Sequence, residues 1–186
     1  MKHSKNLREA GFFADLSERE ALYSALGVLD AEKVVIKISD SQLFLEALHS
    51  QPLILFSEVA LDKDLFDSQS IVESIKKLIG AHYGEVTLIV DMAWCFDTLD
   101  AENALENWSV VVEQLIETTP CKVISVYSYA HLLETQMQVA LRGHQQFLAP
   151  SGVYDNPFWL PSRLRLSANA DEQLAFLLGR AVPDYA

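Results

Sequence analysis

The sequence is poor in the motifs that carry several common chemistries. Glycine occurs seven times in 186 residues, and no GxxxxGK[ST] or GxGxxG segment is present. Such segments bring backbone N–H groups close to phosphates, so their absence argues against ordinary P-loop catalysis. The five histidines form no HxxxH or HExxH pair, and no GxSxG segment occurs. The sequence therefore predicts no enzyme activity, no metal site and no cofactor.

Cysteine and long apolar runs are also scarce. The two cysteines, Cys95 and Cys121, form no CxxC pair and cannot make a disulfide framework. A buried thiol is the commoner role for such a residue, and a nucleophile paired with a distant histidine is the alternative. No apolar run approaches the roughly 18 residues that span a membrane, and residues 1–13 lack the apolar centre of a signal peptide. We expect a reduced, cytoplasmic setting.

The charge balance is strongly acidic. The chain has 14 Lys and Arg against 26 Asp and Glu, a net charge of −12 and a pI near 4.7. Such a surface repels phosphate backbones and anionic lipids, so we predict no direct nucleic-acid binding and no membrane contact. Half of the residues are hydrophobic, which is typical of an ordered chain. We predict a single domain over residues 1–186.

The strongest strand pattern runs from Val86 to Val90. Its residues are almost all apolar, which is typical of a strand buried on both faces in the middle of a parallel sheet. We therefore expect Leu88 and Val90 to be fully buried. Asp91 follows at the carboxyl end of this strand, where ligands gather in open α/β sheets. The alternative is that Asp91 caps a turn.

Strand and helix patterns alternate along most of the chain. Strands are predicted over 33–38, 52–56, 86–90, 121–127 and 146–149. Helices are predicted over 17–27, from residue 40 or 41, and over 71–79, 101–117, 131–142 and 171–180. This alternation predicts a three-layer α/β/α fold with a mostly parallel central sheet. Residues 1–30 are predicted to form a helical N-terminal segment.

Polar and aromatic residues cluster near the predicted strand ends. Asp91 and Trp94 follow one strand, Tyr127 and Tyr129 follow its predicted neighbour, and His144 precedes the next. If the first two strands are parallel, Asp91, Trp94, Tyr127 and Tyr129 emerge at the same edge of the sheet. His144 reaches that edge only if the strand that follows it is antiparallel to them. These five residues are the candidate ligand-binding set. The alternative is that the rings close the core at the edge of the sheet.

Two stretches together resemble a known family. The first comprises DMAW at 91–94, the amphipathic helix through Trp108 to Ile116 and the strand that ends in VYSYAHL at 126–132, and the second is LRGHQQFLAPSGVYDNPFW at 141–159. They are similar to the MEDS domain, the sensory domain of methanogen and methylotroph regulators of the DcmR type, over about residues 33–159. The resemblance implies a degenerate RecA-like or KaiC-like fold without an intact phosphate loop, and it makes a homodimer an expectation. Family members usually open with a histidine-bearing strand, for which this chain has no good match.

Residues and resemblance together predict a non-enzymatic sensory or regulatory domain. It would bind a small organic ligand or a protein partner of a signalling pathway. One alternative is an enzyme, either a remnant nucleotide-binding ATPase or a hydrolase with unrecognised residues. Another is a pure protein-interaction module.

Overall fold

The chain folds around one mostly parallel β-sheet. The computed structural model describes residues 8–14, 17–18, 21–22, 34–39, 53–55, 68–80, 86–93, 95, 100–149, 151–167 and 169–181. The strands are β1 Arg8–Phe13, β2 Val34–Ser39, β3 Leu53–Leu55, β4 Val86–Asp91, β5 Cys121–Ser128, β6 Gln146–Ala149 and β7 Gly152–Asp155. Their order is β3-β2-β4-β5-β1-β6-β7. All neighbours are parallel except β6 and β7, so the predicted parallel sheet is confirmed.

Helices connect or follow these strands. They are α1 Ser68–Gly80, α2 Ala101–Thr118, α3 Glu134–Gly143, α4 Ser162–Arg165 and α5 Ala170–Ala181, with a 3-10 turn at Tyr129–His131 before α3. The four helices predicted from 71 onwards are confirmed, with only their ends shifted. The first predicted helix is described at 17–18 and 21–22, which are helical. The helix predicted from residue 40 or 41 lies outside the described residues.

The sheet has an apolar layer on each face. Leu88 and Val90 are completely buried against α1 and α2. Ile89, which points to the opposite face by strand alternation, packs in a second cluster with the helical residue Leu22. The three-layer α/β/α architecture is therefore confirmed, and so is the predicted burial of Leu88 and Val90.

The N-terminal segment differs from its prediction. Residues 1–30 were predicted to be helical, but β1 occupies Arg8–Phe13 between β5 and β6. Arg8 and Glu9 are both buried, each with an ionic partner. Glu9 pairs with Lys122 of β5 at 2.5 Å on one face, and Arg8 points to the other face, towards α2 and α3. Because paired charges replace apolar residues at these positions, the hydrophobic pattern does not reveal the strand.

None of the helices in the described ranges is both long and apolar enough to cross a membrane.

Candidate functional site

The sheet topology changes direction at the carboxyl ends of β1 and β5. These strands are parallel neighbours. The helix after β5 contributes Ala140 to the cluster that contains Leu88, whereas Leu22, which follows β1, packs on the opposite face. A topological switch point forms where two adjacent parallel strands continue into connections on opposite faces of the sheet. α/β proteins usually bind ligands at such a point. We define the carboxyl edge as Ala14, Glu18 and Tyr129 together with Asp91 at the end of β4.

Carboxylates at this edge already accept backbone N–H groups. Glu18 Oε2 accepts a hydrogen bond from the N–H of Ala14 at 2.7 Å and another from the Tyr129 hydroxyl at 3.3 Å. Asp91 Oδ1 accepts from the N–H of Ala93 at 3.0 Å. A phosphate cradle requires backbone N–H groups that face the ligand. Here two such groups bond to the protein's own acidic side chains, which also add negative charge.

Tyr129 is the accessible aromatic residue of the carboxyl edge. It lies in the 3-10 turn directly after β5 and is 40% exposed. Asp91 is partly exposed, so it too can be reached by solvent. A ring, a phenolic hydroxyl and two carboxylates can bind an organic molecule through stacking and hydrogen bonds. The edge therefore has the mixed apolar and polar character of a ligand site.

Tyr127 is buried in the core, away from the carboxyl edge. Its ring stacks on Phe12 at 5.2 Å and meets the ring of His144 edge to face at 5.6 Å. Burial is the main reason that the Tyr127 pKa lies well above its usual value. A hydrogen bond with Ser125 acts in the opposite direction on the Tyr127 pKa, and Ser125 Oγ also accepts from Trp108 Nε1 at 3.1 Å. Tyr127 is thus a neutral core residue.

His144 enters the sheet from the opposite edge. It precedes β6, which is parallel to β1, so its backbone lies at the amino ends of the strands. Burial, with smaller contributions from Arg8 and Arg165, lowers the His144 pKa to about 3 despite the opposing effect of a hydrogen bond to Ala140. The ring is therefore neutral at physiological pH. Its Nδ1 lies 2.8 Å from the Ala140 carbonyl oxygen and must carry the proton, because a carbonyl only accepts.

The stretch that supports the family resemblance caps the end of α3. Asn156 is fully buried, and its Nδ2 donates to the carbonyl oxygens of Leu141 at 2.5 Å and His144 at 2.6 Å. The carbonyl of Arg142 accepts from Arg165 Nη1 at 3.3 Å and from the N–H of Leu160 at 3.0 Å. Helix ends leave such carbonyls without partners inside the helix. His144 and Asn156 therefore have clear architectural roles.

A second guanidinium completes this cap. Arg8 Nη1 donates to the carbonyl oxygen of Gly143 at 3.2 Å, and its Nη2 lies 3.6 Å from Glu113 of α2. Arg165 Nε donates to Glu106, which also belongs to α2, at 3.1 Å. Burial lowers the Arg8 pKa to about 10, still far above physiological pH. Two cations thus lie at the negative end of the α3 dipole and are compensated by two carboxylates.

The structure separates the five candidate residues into different groups. Asp91 and Tyr129 lie at the carboxyl edge, whereas Tyr127 and His144 contact each other in the core. Trp94 lies outside the described residues. Sequence reasoning missed Glu18, although it lies inside the first predicted helix, and it missed Arg8. Within the described ranges, no cluster of His, Cys, Asp or Glu could hold a metal ion.

No protein-family model and no curated protein matches the sequence.

Proposed function

We propose that the protein is a non-enzymatic sensory or regulatory domain, similar to the MEDS domain, that acts in the cytoplasm. It would bind a small organic ligand or a protein partner at the carboxyl edge and transmit the bound state by contact. One observation carries the proposal: Glu18 at the switch point and Asp91 at the end of the neighbouring strand β4 accept backbone N–H groups, which an enzyme acting on nucleotides would direct at phosphate. The edge therefore favours a ligand other than phosphate.

The position of Tyr129 offers a route for the signal. The 3-10 turn that contains it is followed closely by α3, and the N–H of Leu132 donates back to the Tyr129 carbonyl at 3.3 Å. A ligand that moved Tyr129 would therefore act on the start of α3. The other end of α3 is bonded to Arg8 and Arg165, so a shift of the helix would change contacts at the opposite edge.

A pure interaction module is the second candidate, and a specific observation favours it. Of the large hydrophobic side chains that are exposed in the described part of the chain, most belong to its last quarter: Val153, Tyr154, Phe158, Leu166, Leu174 and Leu178. Exposed apolar side chains that group together often mark a protein interface. In this alternative the carboxyl edge binds no small molecule.

A thermal-shift screen of small organic molecules tests the proposal. A ligand that binds only the folded state raises the melting temperature by mass action. We expect a stabilising ligand whose effect is greatly reduced in Asp91→Asn and Tyr129→Phe. Tyr154→Phe is the matched control, because Tyr154 is also an exposed tyrosine but belongs to β7. Its response should equal that of the wild type.

Two outcomes would contradict the sensor proposal. If no compound stabilises the protein while a protein partner binds the wild type and both edge variants equally well, the domain is an interaction module whose surface lies away from the carboxyl edge. If a compound stabilises the wild type and both edge variants equally, its site lies elsewhere. Circular dichroism of each variant confirms that folding is retained, which we expect because both side chains are partly exposed.

A further inference from the structure

The last part of the chain, after Leu160, lies on the domain with little apolar burial of its own. Leu160 is 1% exposed, but none of the residues described at 161–167 and 169–179 is fully buried. We call residues 161–167 and 169–181, which contain α4 and α5, the C-terminal strap. Burial of apolar surface is the main term that stabilises folded segments, so the strap depends on other contacts.

The two helices of the strap are joined to each other by polar contacts. Gln173 Nε2 of α5 donates to the carbonyl oxygens of Leu164 at 2.8 Å and Ser167 at 3.1 Å. A helix as short as α5, which has 12 residues, is marginal in water without such contacts. We therefore expect α4 and α5 to dock and undock together.

Arg165 joins the strap to the rest of the protein. Its Nε donates to Glu106 of α2 at 3.1 Å, and its Nη1 donates to the carbonyl oxygens of Leu160 at 2.8 Å and Arg142 at 3.3 Å. The Arg165 side chain is 1% exposed, so these charge-assisted bonds are shielded from water. This single side chain thus makes three of the contacts that hold the strap.

Two further contacts attach the strap. The N–H of Ser162 donates to Glu113 Oε2 at 3.1 Å, and the same carboxylate oxygen lies 3.6 Å from Arg8 Nη2. The Phe176 ring packs edge to face on Trp159, with 5.8 Å between ring centroids. Both rings are only partly buried, so the contact excludes little water. The strap is therefore held mainly by polar groups.

Arg165 is bonded less completely than a buried guanidinium can be. Its Nη2 is buried without a hydrogen-bond partner among the described residues, and so is Arg8 Nε. Burial is the main reason that the Arg8 pKa is lowered to about 10, and repulsion from the Arg165 cation adds to the shift. Buried donors without acceptors and neighbouring like charges both cost free energy in the docked state. Water relieves both costs when the strap lifts away.

We propose that the C-terminal strap undocks from the domain as one unit while the β-sheet stays folded, and that Arg165 is the latch that holds it. Such cooperative opening of part of a native structure is a general property of proteins. Opening exposes Trp159 and the inner side of α5, so the domain presents a different surface to a partner in each state. The opening does not depend on a ligand at the carboxyl edge.

Native-state hydrogen exchange, followed by NMR at a series of low urea concentrations, tests the proposal. The amides of Leu164, Leu166 and Gln173 are hydrogen-bonded within the strap and report on it, whereas the amide of Leu88 reports on the sheet. We expect the three strap amides to share protection factors at least about 100-fold lower than that of Leu88. Their exchange should depend only weakly on urea, because undocking exposes little surface.

Val90→Ala shows whether the strap opens independently of the sheet. Val90 is fully buried against α1 and α2, and its packing persists when only the strap opens. The variant should therefore raise the exchange rate of the Leu88 amide by about tenfold or more and leave the strap amides unchanged.

Arg165→Met tests the latch. It removes the bonds to Glu106, Leu160 and Arg142, and it should raise the exchange rates of the strap amides by about tenfold or more. Glu106→Gln weakens the latch without changing the sequence of the strap, and it should raise the same rates by a smaller factor. Arg163→Met is the matched control, because Arg163 is an exposed arginine of the same helix, and it should change no rate.

The proposal is overturned if the strap amides have the protection and urea dependence of Leu88, or if Val90→Ala raises both sets of rates by the same factor, since the strap would then open only with the whole domain. Fast exchange in α5 alone, with Leu164 and Leu166 as protected as Leu88, would refute the single unit. Equal effects of Arg163→Met and Arg165→Met would refute the latch.

Discussion

Arg8 donates from Nη1 to the carbonyl oxygen of Gly143 at 3.2 Å, which joins residues 135 positions apart in the chain. Gly143 ends α3, so the guanidinium lies at the negative end of the helix dipole. The same guanidinium approaches Glu113 of α2 and lies over the ring of Trp159. One side chain of β1 thus contacts both helices that pack over it and the C-terminal segment.

Replacing Arg8 should destabilise the protein strongly. Arg8→Met keeps most of the side-chain volume but leaves the Gly143 carbonyl without its donor and Glu113 without its cation. Breaking a buried ion pair in this way typically costs about 3–5 kcal/mol of unfolding free energy. Urea denaturation of the variant and the wild type measures the difference.

Lys76→Met provides the matched control for Arg8→Met. Lys76 pairs with Glu73 on the exposed side of α1 at 3.4 Å, and the Glu73 side chain is largely exposed. Exposed pairs contribute little, so this change should stay within about 0.5 kcal/mol. Equal losses in the two variants would show that Arg8 has no special role in holding β1 to α3.

His144 should make stability depend on pH in a defined window. Its pKa is lowered to about 3 in the folded protein, mainly by burial, against an ordinary value of 6.5. The unfolded chain therefore binds the proton more strongly than the folded protein does. The stability that the neutral, buried ring contributes is complete above pH 6.5 and falls as pH decreases towards 3. His144→Gln removes this pH dependence. The wild type should lose about 2 kcal/mol more than the variant between neutral pH and pH 5.

Urea midpoints at a series of pH values test the role of His144. The variant is expected to be less stable at neutral pH, because its contacts with Ala140 and Tyr127 change, but the comparison uses only the pH slopes. Parallel slopes for variant and wild type would mean that His144 is protonated in the folded protein or is exposed to solvent.

Val90 tests the position of β4 in the sheet. Val90 is completely buried, so Val90→Ala should cost about 1–3 kcal/mol through lost burial and the cavity that remains. Val153→Ala is the control, because Val153 is 42% exposed on β7 and its truncation should change little. A denaturant midpoint for Val90→Ala close to that of the wild type would contradict the central placement of β4.

The elements with the most regular apolar patterns could be predicted from the sequence. The continuous apolar run of β4 follows from burial of the strand on both faces. In α2, apolar residues recur every three to four positions because one side of the helix is buried. The pattern of β1 could not be recognised, because Arg8 and Glu9 become compatible with burial only through partners more than 100 residues away. Local pattern contains no information about such partners.

The candidate site was predictable only in part for a related reason. Asp91 could be placed because it directly follows a regular strand, and the structure puts it at the carboxyl edge. Tyr127 was predicted to end its strand and to emerge at the carboxyl edge, but β5 continues through Ser128, and the alternation of side chains turns Tyr127 into the core. The role of His144 depends on where α3 ends, and helix ends are the least certain part of a sequence-based prediction.

Calorimetric titration with ATP and Mg²⁺ tests the central claim most directly. We expect the carboxyl edge to be unsuited to phosphate, because Glu18 and Asp91 already accept the N–H groups of Ala14 and Ala93. A net charge of −12 adds long-range repulsion of the nucleotide. We predict no magnesium-dependent binding at micromolar ATP and no hydrolysis. Micromolar, magnesium-dependent binding of ATP would contradict the account.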